Sequence, residues 1–160
     1  MKKMSCIFLI GTLFIFQTVC GPEPSGDKAK NNSISFGFLQ GGGSLLGVDY
    51  ERMINENVSY QIGGGFIGIG ASLLYHIQPS IDSMAGGITY WNQGIPFDTL
   101  SQQIIGLTAI FRPINILTTQ IGIGYVIFRG EEMRASLIDR FGSDPLDITL
   151  LFSIGLYHSF

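Results

Sequence analysis

The stretch LDITLLFSIGLYHSF, Leu146–Phe160, decides the fold. Every second residue from Ile148 gives Ile148, Leu150, Phe152, Ile154, Leu156, His158 and Phe160. Between them stand Thr149, Leu151, Ser153, Gly155, Tyr157 and Ser159. Side chains alternate across a β-strand with period two, so this is a strand with two different faces. One face is large and apolar; the other is mostly small or hydroxylic. Neither carries Lys, Asp or Glu, so neither has the charged character of a strand surface exposed to water.

Seven more stretches upstream repeat the pattern. Ile34, Phe36 and Phe38 oppose Ser33, Ser35 and Gly37 in a strand running to Gln40, and GGGS follows as a turn. Leu46, Val48 and Tyr50 oppose Gly47, Asp49 and Glu51. Val58, Tyr60 and Ile62 oppose Ser59, Gln61 and Gly63. Ile69, Ala71, Leu73, Tyr75 and Ile77 oppose Gly70, Ser72, Leu74, His76 and Gln78. Met84, Ile88 and Tyr90 oppose Ala85, Gly87 and Thr89. Ile105, Leu107, Ala109 and Phe111 oppose Ile104, Gly106, Thr108 and Arg112, and Ile121, Ile123, Tyr125 and Ile127 oppose Gln120, Gly122 and Gly124. The connections INEN, PSID and PINI are short, whereas NQGIPFDTLS and Arg129–Asp147 are long. EEMRASLIDRF in the last of these reads as an exposed loop with helical turns rather than as a helix.

These segments predict an all-β domain over residues 33–160: an eight-stranded, antiparallel, up-and-down transmembrane β-barrel. An apolar face toward lipid and a small polar face toward a narrow interior explain both halves of the pattern, and closure removes edges that hydrocarbon cannot satisfy. The three inner connections are short and the two long ones fall on the outer side, as in outer-membrane barrels, although the first two outer connections, GGGS and the reversal near Gly68, are short as well. Tyr50, Tyr60, Tyr75, Phe111 and Phe160 fall at the inner ends of their strands on the lipid-facing register, where an interfacial aromatic girdle belongs. The alternative is a secreted or periplasmic soluble β-barrel with the apolar face inward around an apolar ligand.

Composition agrees. Of 160 residues, 46% are hydrophobic and only 13% charged, about half the usual charged share of a soluble domain. No lysine follows Lys30, and a net charge of −3 without a basic cluster excludes a nucleic-acid interface. Cys6 and Cys20, the only cysteines, lie in the first twenty residues, and there are two histidines; no cofactor or metal site is expected. Residues 1–20, MKKMSCIFLIGTLFIFQTVC, have the basic start and short apolar run of a signal peptide. Cys20 offers lipidation as a second reading, and residues 21–32 form a polar spacer.

On the interior register, Asp49 and Glu51 face Arg112 from four strands away, with His76, Gln61 and Gln120 at similar depth. An Asp49/Glu51–Arg112 ion-pair network is expected, because buried charges require partners. It reads as a structural plug, with a gate or small pore as the sharper alternative. Catalysis is not expected. His158 and Ser159 point to opposite faces, and Ser72 is too far along the strand from His76 for proton transfer. Asp98, Asp139, Asp144 and Asp147 match no calcium loop.

The ending GLYHSF, with Gly155, Tyr157 and Phe160, resembles the closing strand that assembly machinery recognises in bacterial outer-membrane barrels. GVDYERMINENVSYQIGGGF is similar to a hairpin of the small barrels of the outer membrane protein A and X type. The resemblance covers Ser33–Phe160. It implies location in the bacterial outer membrane, insertion by the barrel-assembly machinery and contact with membrane lipid. The expected form is a monomer whose role is envelope-structural, or surface interaction with an unidentified extracellular partner through the outer loops.

Overall fold

The computed structural model describes residues 30–95 and 99–160. The signal-peptide reading, Cys20, most of the spacer and Asp98 lie outside them. The described chain forms eight antiparallel strands closed into a barrel in sequence order. They are β1 (Asn32–Phe38), β2 (Leu46–Met53), β3 (Val58–Gly65), β4 (Gly68–His76), β5 (Ala85–Gln93), β6 (Gln102–Ile114), β7 (Leu117–Arg129) and β8 (Ile148–Ser159). We call the end holding Asn32 and Phe160 the lower end. There Asn32 N–H donates to Phe160 O at 3.1 Å and Phe160 N–H to Asn32 O at 2.9 Å, sealing the first strand to the last.

Each strand keeps the facing its alternation sets. Phe36, Ile69, Leu73, Ile88, Leu107, Ile123, Leu150 and Leu156 are exposed on the outside. Ser35, Glu51, Ser59, His76, Thr89, Gln120 and Ser153 are buried within. The interior is not uniformly small and polar, however. Trp91, Ile104, Val126 and Leu151 pack as one apolar cluster toward the upper end, and Leu74, Ala85 and Ile110 as another toward the lower. In β6 the register shifts between Phe111 and Ile114, around Pro113, whose missing N–H cannot join a ladder.

Three connections differ from expectation. Gln40 does not continue the first strand. Leu39, Gly41, Gly42 and Gly43 all take positive φ (57°, 64°, 79° and 79°), which turns the chain inward over the upper mouth and buries Gln40. Only glycine enters that conformation without strain. Space demands it too: a Cβ on Gly41 would overlap the backbone of Gly64, and one on Gly42 that of Ile69.

At the lower end, Ile77 and Gln78 belong to a turn over residues 77–84 that folds beneath the barrel and buries Ile81 completely. Finally, Glu131–Phe141 is a full helix, α1, ended by Gly142 in the left-handed conformation. Glu131 and Glu132 in its first turn and Arg140 in its last complement the helix dipole. None of its residues is buried; Met133 N–H donates to Thr99 O at 3.1 Å, and Gly142 N–H to Ile138 O at 2.7 Å closes the far end.

Candidate functional site: a braced polar interior

Glu51 projects from β2 into the lower interior, where three strands supply its partners. Ser59 Oγ (β3) donates to Glu51 Oε1 at 2.7 Å, and His76 Nε2 (β4) lies 2.9 Å from the same oxygen. The Arg112 guanidinium (β6) binds Glu51 Oε2 across the barrel. Side chains of both ion-pair members are almost sealed, at 4% and 3% exposure. Such a pair calls for further hydrogen bonds to its remaining donors and acceptors. Arg112 Nη1 donates to the carbonyls of Ile81 and Ser83, the latter at 2.9 Å, while its buried Nε has no hydrogen-bond partner among the described residues.

The lower turn is thereby tied to the wall. Tyr157 (β8) reinforces the tie: its hydroxyl lies 2.8 Å from Asp82 Oδ1 and 3.2 Å from Ile81 O. The Arg112 guanidinium stacks 4.7 Å from the centre of the Tyr157 ring. His76 Nδ1 lies 3.3 Å from Ser83 Oγ, so the imidazole bridges the wall and the turn.

Of the residues expected in one network, Glu51, Arg112 and His76 meet. Asp49 stands apart from them: its Oδ1 accepts from Gly41 N–H at 3.1 Å and so braces the upper inward turn. The cause is position, since Asp49 lies one interior step higher on β2, at the level the inward turn occupies. Gln61 and Gln120 are buried. Gln61 sits opposite Glu51 in register, and Gln120 Nε2 has no hydrogen-bond partner among the described residues. Ser59, Ser83, Tyr157, Ile81 and Gln40 join the contacts at the two ends of the interior, and nothing in the sequence singles them out as members of the network. Register could have found Ser59, which projects inward on the strand paired with that of Glu51.

A serine, a histidine and a carboxylate in contact invite comparison with a hydrolase. In a catalytic relay the serine and the carboxylate occupy opposite nitrogens of the imidazole. Here Ser59 Oγ, at 2.8 Å, and Glu51 share Nε2. Ser59 and His76 are both wholly buried, which leaves no approach for a substrate atom. The Ser83 hydroxyl on the other nitrogen is directed at Gln78 O, 3.1 Å away. The arrangement can brace the wall against the lower turn.

On the outside, Tyr50, Tyr60, Tyr75, Phe111 and Phe160 share the outward register in the lower half. Tyr50 and Tyr60 meet edge to face at 6.5 Å, and Tyr50 OH donates to Asn32 Oδ1 at 2.8 Å. Phe160 stacks on His158 at 6.1 Å. Of the closing-strand residues, Gly155 and Tyr157 face inward and Phe160 outward. Among the described residues no cluster of His, Cys, Asp or Glu could hold a metal ion. No family model, curated protein or solved structure matches this chain.

Proposed function

We infer that this protein is an integral barrel of the bacterial outer membrane with a plugged interior, serving the envelope as a structural element or as a platform for its upper connections. The observation behind this is the inverted polarity of the wall. An outer surface of Phe, Ile and Leu encloses a buried glutamate, arginine, histidine and glutamines. Exposed apolar patches on that scale signify lipid or a partner, because a water-soluble monomer keeps them small. A soluble barrel around an apolar ligand requires the reverse facing.

The last connection supports the orientation. Lower connections span residues 54–57, 77–84 and 115–116; upper ones span 39–45, 66–67, 94–101 and 130–147, of which the last, with α1, is much the longest. Outer-membrane barrels pair short inner turns with longer outer loops. Arg52, exposed near the lower end of β2, lies where a rim charge meets headgroups. Two seals, the inward turn above and residues 77–84 below, favour a closed barrel over a pore. On this reading the partners are membrane lipid, the assembly machinery and a ligand of the upper loops.

Cell fractionation, with gel mobility of unboiled against boiled samples in detergent, tests the reading. Recovery in the outer-membrane fraction and a mobility shift on boiling are expected. Recovery in the periplasm or medium without a shift would overturn it.

A further inference from the structure

β1 and β8 start level at the lower end but do not rise equally. β1 ends after seven residues at Phe38, and its uppermost pairing is Phe38 with Ile154. β8 is twelve residues long, and its upper half, Ile148–Ser153, pairs on one side only, with Tyr125–Gln120 of β7. The bonds exchanged by Asn32 and Phe160 show that even-numbered residues of β8 direct their N–H and C=O groups toward β1. The backbone groups of Ile148, Leu150 and Phe152 therefore face the gap above Phe38, where no strand of the described chain meets them; Leu150 O accepts only from Thr149 Oγ1, at 3.5 Å.

The side chains of these residues are exposed and apolar: Ile148 61%, Leu150 82%, Phe152 44%. Leu39 and Leu45, both exposed, border the gap from below. A tilted strand needs about 9–11 residues to cross a bilayer. β8 meets that length and β1 does not. On the membrane reading, which this inference rests upon, the free edge lies within the outer half of the hydrocarbon. Open sheet edges are not stable there, because hydrocarbon offers backbone N–H and C=O groups no partner.

We propose that the upper edge of β8 is a docking site for an extended strand of another polypeptide, which completes the wall above β1 by antiparallel pairing. Donors and acceptors alternate along the edge at the two-residue repeat of a β-ladder, and an extended backbone matches both at that spacing. The incoming strand carries apolar side chains outward, continuing the row of Ile148, Leu150 and Phe152. A lipid offers no such alternating series.

The test uses the full barrel in detergent micelles, with a synthetic peptide copying Thr119–Ile127 as probe, since that sequence pairs antiparallel with this stretch of β8 on its other edge. Amide hydrogen exchange is read residue by residue. Leu150 and Phe152 amides are expected to exchange without protection in the barrel alone, while Thr149 and Leu151, bonded to β7, are protected. Added peptide should protect Leu150 and Phe152. Leu150→Pro, which has no amide of its own to read, should abolish the protection of Phe152 while the boiling-dependent mobility shift persists, because proline is tolerated where no ladder bond is made.

Protection of Leu150 and Phe152 without peptide would show the edge already closed and overturn the proposal. So would indifference to peptide, with protection appearing only after transfer into phospholipid vesicles; lipid would then cover the edge. Failure of the membrane reading shows separately, in the fractionation.

Discussion

Glu51 and Arg112 stand 61 residues apart in sequence and on opposite sides of the barrel, yet their side chains meet in its interior. The contact braces the wall across its diameter and holds the lower turn through the same guanidinium. Removing one member leaves an uncompensated buried charge. Arg112→Met should lower stability by about 3–5 kcal/mol, read as a fall in the urea midpoint for loss of the mobility shift. A loss under about 1 kcal/mol, the worth of a surface pair, would show that Glu51 is not buried as described.

Arg134 and Asp144 give the contrast. Their bidentate contact in the last upper connection, at 2.9 and 3.0 Å, is more than half exposed on both sides. Asp144→Ala should therefore change the same midpoint by less than about 1 kcal/mol.

The inward turn depends on glycine at a specific atom. Gly42→Ala places a methyl group against Ile69 O and imposes positive φ on a residue with a Cβ, a conformational cost of about 1–2 kcal/mol before the clash. The turn should be displaced. Gln40→Cys, at a site now 2% exposed, should resist a membrane-impermeant maleimide in the parent and react in the Gly42→Ala background. Equal labelling in both would place Gln40 outside the mouth.

Trp91 is the only tryptophan and lies in the upper apolar cluster, 4% exposed. Its emission should be blue-shifted in the folded barrel and resistant to quenching by aqueous iodide. Brominated acyl chains should quench it less than they quench a tryptophan placed outward, as in Ile123→Trp. Strong quenching of Trp91 by those chains would reverse the facing of β5.

Outward positions should reject charge in lipid. Ile123→Lys, exposed midway up β7, is expected to cost about 2–4 kcal/mol in vesicles, by the depth-dependent penalty of the lipid face. A neutral result there would favour water outside the wall.

The facing of the strands was legible because alternation is a local signal: Leu150 and Leu151 separate to two sides by parity alone. The turns at the two ends of the interior were less legible, for a physical reason. Three consecutive glycines fit a tight outward turn as well as an inward one, and only the shape of Gly64, Ile69 and Gly70 across the mouth decides. Ile77 and Gln78 continue the alternation of β4, so the beginning of the lower turn is hidden; it is fixed by carbonyls that Arg112 reaches. Asp49 and Glu51 share a face and a charge. What separates them is height along β2, which depends on where the inward turn settles. α1 has no apolar face for periodicity to reveal, and the contact that anchors its start, Met133 N–H to Thr99 O, lies outside its own sequence.

The seam at which Asn32 and Phe160 exchange hydrogen bonds has a consequence for the order of events in folding. Hairpins such as β2–β3 and β6–β7 close over a few residues, but β1 and β8 join across nearly the whole domain. Contacts of such long sequence separation form slowly, because loop entropy must be overcome before the pairing rewards it. The seam is also a short ladder, six pairs between Ser33–Phe38 and Ile154–Ser159 with Asn32 and Phe160 below them. The wall therefore assembles as a curled open sheet, and the ring becomes a ring at its last joint.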